Sequence, residues 1–490
     1  VPLKGELQVL ISQALRIQTQ DIVTIVGGGG KTTLMFRLAE ELAGSGRHVV
    51  TTMTTRIFAS QMQRAPAFLV LQDEQTLLAQ LPQALDTYGH VLVAGNIQVE
   101  IDKVAGIPSA LAERIAALPG VDALIIEADG SRRLPFKAPA AHEPVVPPST
   151  TILIPVVGID VLGQALDAGH VHRPQIVAEL AGATLGQPVT PEIVAAVIAH
   201  PAGGAKDLPP GARLVPFLNK VESEETLNAA RTLARLLLAY EPVDSVIIGA
   251  AEAADPVSEV WSRIGAVVLA AGGASRYGEL KQLLPWGNVP LVAHVTRQAL
   301  ACPDVTRVAV TLGAGADGVH AALTGAALTG ADVLQAPVPD WEAGQSRSVR
   351  AGLDALRRDS APLGGVLFLL ADQPGVSTAL LAALIRRHRE TLAPIVAPRY
   401  QGQRGNPVLF DRATFAEFAR LEGDIGARPI LQAYAGQIAW LDWPTAEIIE
   451  DIDTPADYAH HSAGRAARPG DPAGADQEHG LSDRSEERDG

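Results

Sequence analysis

Twice along its length the chain runs a short apolar stretch into a glycine-rich turn and then into a helical pattern, first from Asp21 and again from Gly265. A strand that ends in glycines and opens a helix places backbone N–H groups and the positive end of the helix beside any anion lodged in the turn. Apolar runs at 22–26, 49–52, 91–94, 123–126, 151–156, 214–218 and 246–248 read as buried strands, with helical spacing at 34–42 and 227–238 between them. The second half repeats the alternation with strands at 266–269, 308–312, 366–370 and 395–397. The fold class expected is therefore α/β, with two domains, each a mostly parallel sheet flanked by helices. AAEAADP at 250–256 separates two apolar runs, so the boundaries expected are 1–255 and 262–460. A tail at 461–490, rich in Gly, Pro, Asp, Glu and Arg, buries too little apolar surface to offset ordering entropy and reads as disordered.

The first turn, GGGGKTT at 27–33, has the residue types of a phosphate cradle. Gly27, Gly28, Gly29 and Gly30 let backbone amides face an anion, Lys31 supplies a charge, and the hydroxyl of Thr32 or Thr33 can bind Mg²⁺. Strict G-x-x-x-x-G-K-[ST] spacing asks for glycine where Ile25 stands, so the loop is a shortened variant, closer to the G-x-x-G-K-T-T of Mur ligases. ALIIEADGSRRLPFKAP at 123–139 ends an apolar strand on Glu127 and Asp129, carboxylates placed for Mg²⁺ or a water, with Arg132 and Lys137 able to face phosphates. Asn219 and Lys220 in PFLNKVES have two readings, a faint N-K-x-D base reader with Glu222 in the acidic slot, or polar residues of an ordinary turn.

Together the loop, IEADGSRRLPFKAP and the following HEPVVP resemble the YqeC family of selenium-dependent hydroxylase accessory proteins, over about residues 5–250. The resemblance implies a P-loop-like nucleotide-binding fold, a second NTP, and work beside a client molybdenum hydroxylase.

The second turn opens AVVLAAGGASRYGELKQLLPWGNVPLV at 266–292. Leu269, Ala270, Ala271, Gly272, Gly273 and Ser275 turn the backbone toward a triphosphate, Arg276 can neutralise β- and γ-oxygens, and Lys281 lies within reach of the α-phosphate. The longer pattern resembles the MobA-like nucleotidyltransferases, in their molybdenum cofactor cytidylyltransferase branch, over about 264–458, and implies a Rossmann-like domain. By that resemblance GQSRSVRAGL puts Gly344, Ser346 and Ser348 near base and ribose, and LLADQP and DIDTP supply Asp372 and Asp453 to Mg²⁺. RGNPVLF, with Arg404, Gly405, Asn406 and Pro407, and GDIGARPIL at 423–431 lie on the acceptor side. Tyr277 and Val338 depart from the pattern, where methionine and asparagine are usual.

The resemblance implies CTP and the molybdopterin form of the molybdenum cofactor as substrates; GTP use on the same fold and a non-catalytic cofactor carrier are the alternatives. LAAG rather than LAGG, and QLLP after Lys281, lean toward CTP. A net charge of -15 argues against broad adhesion to nucleic acid or anionic membrane. With no apolar run near 20 residues and no signal-like start, a cytoplasmic protein is expected. Cys302, the single cysteine, cannot form an internal disulfide and reads as buried.

Overall fold

The computed structural model describes residues 8–55, 57–98, 103–273, 279–330, 333–359 and 361–466. Its N-terminal sheet is built on Asp21–Gly27, whose five central residues are buried and which pairs in parallel with Ala123–Glu127 on one side and Ile152–Gly158 on the other. Outward from Ala123–Glu127 lie Val49–Met53, His90–Ala94 and the edge strand Ala67–Val70, all parallel. Beyond Ile152–Gly158 come Phe217–Asn219 and Ser245–Gly249, again parallel. The expected single strand at 214–218 is two pieces, Arg213–Leu214 and Phe217–Asn219. Pro216 stands between them, without an N–H to continue the ladder.

Helices follow the sequence for local reasons. Lys31–Gly44 buries Leu34, Met35, Leu38 and Leu42 on one face. Glu224–Leu238 is capped by Ser223, which accepts from the Thr226 N–H, carries Glu224 and Glu225 at its positive end, and buries Ala230, Leu233, Ala234 and Leu237.

The two halves share a strand. Val257–Leu269 pairs antiparallel with Ser245–Gly249 along its first part, and in parallel with Val305–Leu312 and Leu363–Leu370 along its second. It begins inside the stretch expected to join the domains and ends at the second glycine turn. Charged residues within it are matched by distant partners: Glu259, 2% exposed, accepts from Arg231 and from the Trp261 indole, while Arg263 donates to the carbonyls of Val243 and Tyr240. The second sheet continues with Val333–Pro337 at one edge and, at the other, Val408–Asp411, Ile395–Tyr400 and Ile438–Asp442. Val408–Asp411 is antiparallel to both neighbours in a mostly parallel sheet.

Two bidentate ion pairs lock the halves beside this strand, Arg16 on Asp411 and Arg412 on Asp244. Residues 461–466, expected as the start of the tail, continue the helix Pro455–Ala466, whose Tyr458 packs on Trp286 and donates to the Pro285 carbonyl. Residues 467–490 lie outside the described residues. Among the described residues no helix is long and apolar enough to cross a membrane.

Candidate functional sites

Parallel sheets offer their sites at the carboxyl ends of the strands. Because the shared strand is antiparallel to the first sheet and parallel to the second, those ends lie at its opposite ends, Val257 for the first sheet and Leu269 for the second. The strand has 13 residues. At about 3.3 Å each, the two glycine turns sit roughly 40 Å apart along it and open in opposite directions.

At the first site the structure brings together Gly27 to Thr33, Glu127, Asp129, Lys137 and Asn219, and adds Glu143 and Arg173. The amides of Gly27, Gly28 and Gly29 are not turned toward open space as expected. Gly27 N–H donates to the Asp129 carboxylate at 3.0 Å, Gly28 N–H to the Val156 carbonyl and Gly29 N–H to the Leu134 carbonyl. The loop is a close-packed turn, with positive φ at Gly27, Gly29 and Gly30, and a β-carbon at Gly28 would collide with the Leu134 carbonyl. The N–H groups of Lys31, Thr32 and Thr33 form the first turn of the helix Lys31–Gly44, where no intrahelical acceptor exists.

The Lys31 ammonium is buried, donates to the Gly27 carbonyl at 2.8 Å, and lies 3.3 Å from Asp129 and 3.6 Å from Glu127. Burial works against its charge, but the two carboxylates outweigh burial and hold its pKa above the ordinary lysine value. Thr32 donates to Glu127 at 2.8 Å. Thr33 donates to Glu252. Lys137, expected to face phosphates, is instead buried on Asp129 at 3.0 Å and Glu143 at 2.7 Å. Glu143 also accepts from Arg173 at 2.8 Å; burial opposes its ionisation, yet Arg173 and Lys137 hold it down at about 2. Three cations and three carboxylates thus form one charge-balanced network. Arg132 is exposed.

Asn219 is not poised to read a base. Its amide donates to the Gly29 carbonyl at 2.7 Å and accepts from the Ala251 N–H at 2.9 Å, pinning the glycine turn to the sheet, while Lys220 pairs with Asp160. HEPVVP contained Glu143, but nothing local marked Arg173, which reaches Glu143 from 30 residues away.

The second site is a cleft of about 540 Å³ lined by Leu269, Ala270, Ala271, Gly272, Gly273, Lys281, Gly344, Ser348 and Asp372 among others. Gln282, buried, ties the turn down by donating to the carbonyls of Ala270 and Gly272, and Thr311 accepts from the Ala270 N–H. Trp341 covers Gly273 so closely that a β-carbon there would strike its ring. Ser275, Arg276 and Tyr277 lie outside the described residues.

Lys281 stands between Asp372 at 3.0 Å and Asp453 at 2.6 Å. Partial burial works against its charge, but hydrogen bonding to Asp453 and the field of Asp372 hold its pKa above the ordinary lysine value. The two carboxylates expected on one metal therefore converge on one cation, here the ammonium. Two contacts staple their loops together, Ile452 N–H to the Asp372 carbonyl and the Gln373 amide to Asp451. Among the described residues no group of three or more His, Cys, Asp or Glu forms a ready metal cage, here or around Thr32, Glu127 and Asp129.

Ser348 lines the cleft, whereas Ser346 is fully buried behind it, its hydroxyl without a hydrogen-bond partner. Gly344 has φ +110° and passes so close to Gly423 and Asp424 that a side chain would collide. Of the acceptor-side segments, Asp424 and Arg428 reach the cleft. Arg404 is exposed, Gly405 and Pro407 are buried, and the Asn406 N–H bonds the Ile448 carbonyl. Glu342, Gln345 and Arg428 were not singled out from sequence, although Gln345 stands inside GQSRSVRAGL and Arg428 inside GDIGARPIL.

The sequence matches the YqeC protein family over residues 23–175 and the MobA-like NTP transferase domain over 266–438. It is 33% identical to the protein YqeC of Escherichia coli (strain K12) over 228 residues, 46% of this chain and 86% of that protein. The chain belongs to the YqeC family. Its second half carries a MobA-like NTP transferase domain, and the protein is a nucleotidyltransferase. The purine catabolism protein PucB of Bacillus subtilis (strain 168) is 34% identical over 120 residues, 24% of this chain and 56% of PucB's own length. A crystal structure of Rv0371C in complex with manganese from Mycobacterium tuberculosis H37Rv is 30% identical, covering 41% of this chain and 97% of that one, at a TM-score of 0.34.

Proposed function

We infer that the second half transfers CMP from CTP to the molybdopterin form of the molybdenum cofactor, releasing pyrophosphate, and that the first half is a nucleotide-binding accessory unit for maturing a molybdenum hydroxylase. The observation that carries the first part is Lys281 held between Asp372 and Asp453 at the mouth of the glycine-turn cleft. Two carboxylates converging on a single cation offer hard oxygen donors of the kind Mg²⁺ takes, so Asp372 and Asp453 would hold it. When bound, Mg²⁺ polarises the α-phosphorus and neutralises charge on the leaving pyrophosphate.

The chain's own residues position the rest. The backbone of 270–273 receives the triphosphate, Lys281 supplies charge beside it, and Trp341 and Ser348 wall the nucleoside side. The acceptor brings its own nucleophile, a phosphate oxygen already ionised at neutral pH, so no Ser-His-Asp arrangement is needed.

In the first half the first-turn amides of Lys31–Gly44 and the Lys31, Glu127 and Asp129 cluster support nucleotide binding. The network is charge-balanced as it stands, so a bound phosphate would displace Asp129 or Glu127 from Lys31. Asp372→Ala tests the transferase assignment: cofactor dinucleotide formation is expected to fall at least a hundredfold with the fold intact, and turnover near the wild-type level would show that Asp372 does not hold the metal. For the first half, Lys31→Ala in the full chain should remove one equivalent of the nucleotide binding that persists in Asp372→Ala; an unchanged stoichiometry would remove this site from the reading. The full chain is needed because the halves share a strand.

A further inference from the structure

Between the two halves, beside the shared strand and away from both glycine turns, lies a cavity of about 440 Å³. Its wall carries four guanidinium groups, Arg235 from the first half, Arg263 from the shared strand, and Arg307 and Arg389 from the second half. Two carboxylates face them. Asp304 is divided between Arg235 at 3.2 Å and Arg389 at 3.1 Å, and Asp359 pairs with Arg307 at 3.0 Å. Arg263 meets two backbone carbonyls and no carboxylate. The lining therefore holds two positive charges more than its carboxylates neutralise.

Arg389 is the most telling of the four. It is only 6% exposed, stacks with its guanidinium carbon 3.4 Å from the centre of the Trp261 ring, and its Nε has no hydrogen-bond partner. Burial works against the charge on Arg389 and Arg263, a cost that a bound anion would relieve. Planar guanidinium groups converging on one space suit phosphate oxygens, which they meet two at a time.

We propose that this junction cavity binds a small polyanion of the phosphate class, either free pyrophosphate or the phosphate chain of a nucleotide, and that the ligand bridges the two halves. The site is separate from the cleft, because none of its lining residues is shared with it.

The test is calorimetric titration of the full-length protein with inorganic pyrophosphate and, separately, with CTP, both in EDTA. Two variant sets accompany the wild type. Arg235→Gln with Arg307→Gln removes the two more exposed guanidinium groups of the junction, and Arg307→Glu alone reverses one charge should the pair destabilise the chain. Lys281→Ala disables the cleft. An anion site that survives in Lys281→Ala is expected, told apart from any anion held at the glycine turns by a Kd raised tenfold or more in the junction variants. Tighter binding of pyrophosphate than of CTP identifies the free anion as ligand, and the reverse identifies a nucleotide. Absence of binding to the wild type, its loss in Lys281→Ala, or full retention in the junction variants would overturn the proposal.

Discussion

Replacing Asn219 by alanine should loosen the first glycine turn and the sheet beneath it together. The Asn219 side chain is 5% exposed and makes two buried contacts with backbone, Nδ2 to the Gly29 carbonyl at 2.7 Å and Oδ1 from the Ala251 N–H at 2.9 Å. Alanine leaves that carbonyl and that N–H unpaired, and each such loss costs about 1–3 kcal/mol. A total of about 2–6 kcal/mol lowers the melting temperature of a unit of 150–250 residues by roughly 4–24 °C. Asn219→Asp keeps the acceptor for Ala251 but sets a carboxylate oxygen against the Gly29 carbonyl, so it should destabilise at least as much. Melting followed by circular dichroism, with nucleotide titration of the first site, reads both effects. Midpoints within about 1 °C of wild type for both variants would refute the claim that Asn219 pins the loop, and would return it to a base-reading role.

Three further outcomes are expected. Lys281→Ala should lower nucleotidyl transfer by about 10²–10³-fold while leaving the melting temperature nearly unchanged, as pyrophosphate release and calorimetry would report. Asp411→Ala strips a fully buried carboxylate from Arg16 and His388 and should cost about 3–5 kcal/mol in urea unfolding. The Asp411 pKa is depressed by those partners against the effect of burial, so the deficit should be full at neutral pH and shrink only below the usual carboxylate range. His90, buried against Thr51, has its pKa lowered by burial to about 4. A depressed histidine pKa favours the neutral folded form, so its contribution is complete above about pH 6.5 and is lost as pH falls toward 4, about 3 kcal/mol in all. His90→Gln should flatten that acid limb, and parallel limbs in urea titrations of the two proteins would contradict it.

What could be read from the chain was whatever is local. Asp21–Gly27 into Lys31–Gly44, and Val257–Leu269 into the second turn, announce themselves because strand, glycines and helix follow one another in sequence. Asp372 and Asp453 carried recognisable contexts and do meet on one cation. The partners of the first glycine turn were not legible, since Asp129, Leu134 and Val156 arrive from more than a hundred residues away. The start of the shared strand was hidden for a similar reason. PVSEVWSRI carries Glu259 and Arg263 within the strand, and their partners, Arg231 and the Val243 and Tyr240 carbonyls, lie elsewhere in the sequence. Short half-buried edge strands such as Ile438–Asp442 lack the continuous apolar run that marked the central ones.

The opposed placement of the two glycine turns also limits how the halves cooperate. With roughly 40 Å of strand between them and openings that face apart, the two glycine turns do not form one shared cavity. Any coupling within the chain runs through the shared strand, the Arg16 and Arg412 ion pairs and the arginine-lined junction.

Pyrophosphate release by the purified full-length protein, supplied with Mg²⁺, the molybdopterin cofactor and each nucleoside triphosphate in turn, tests the central claim most directly. Release with CTP alone, abolished in Asp372→Ala, is the predicted result; release with GTP in its place, or no release with any nucleotide, would contradict it.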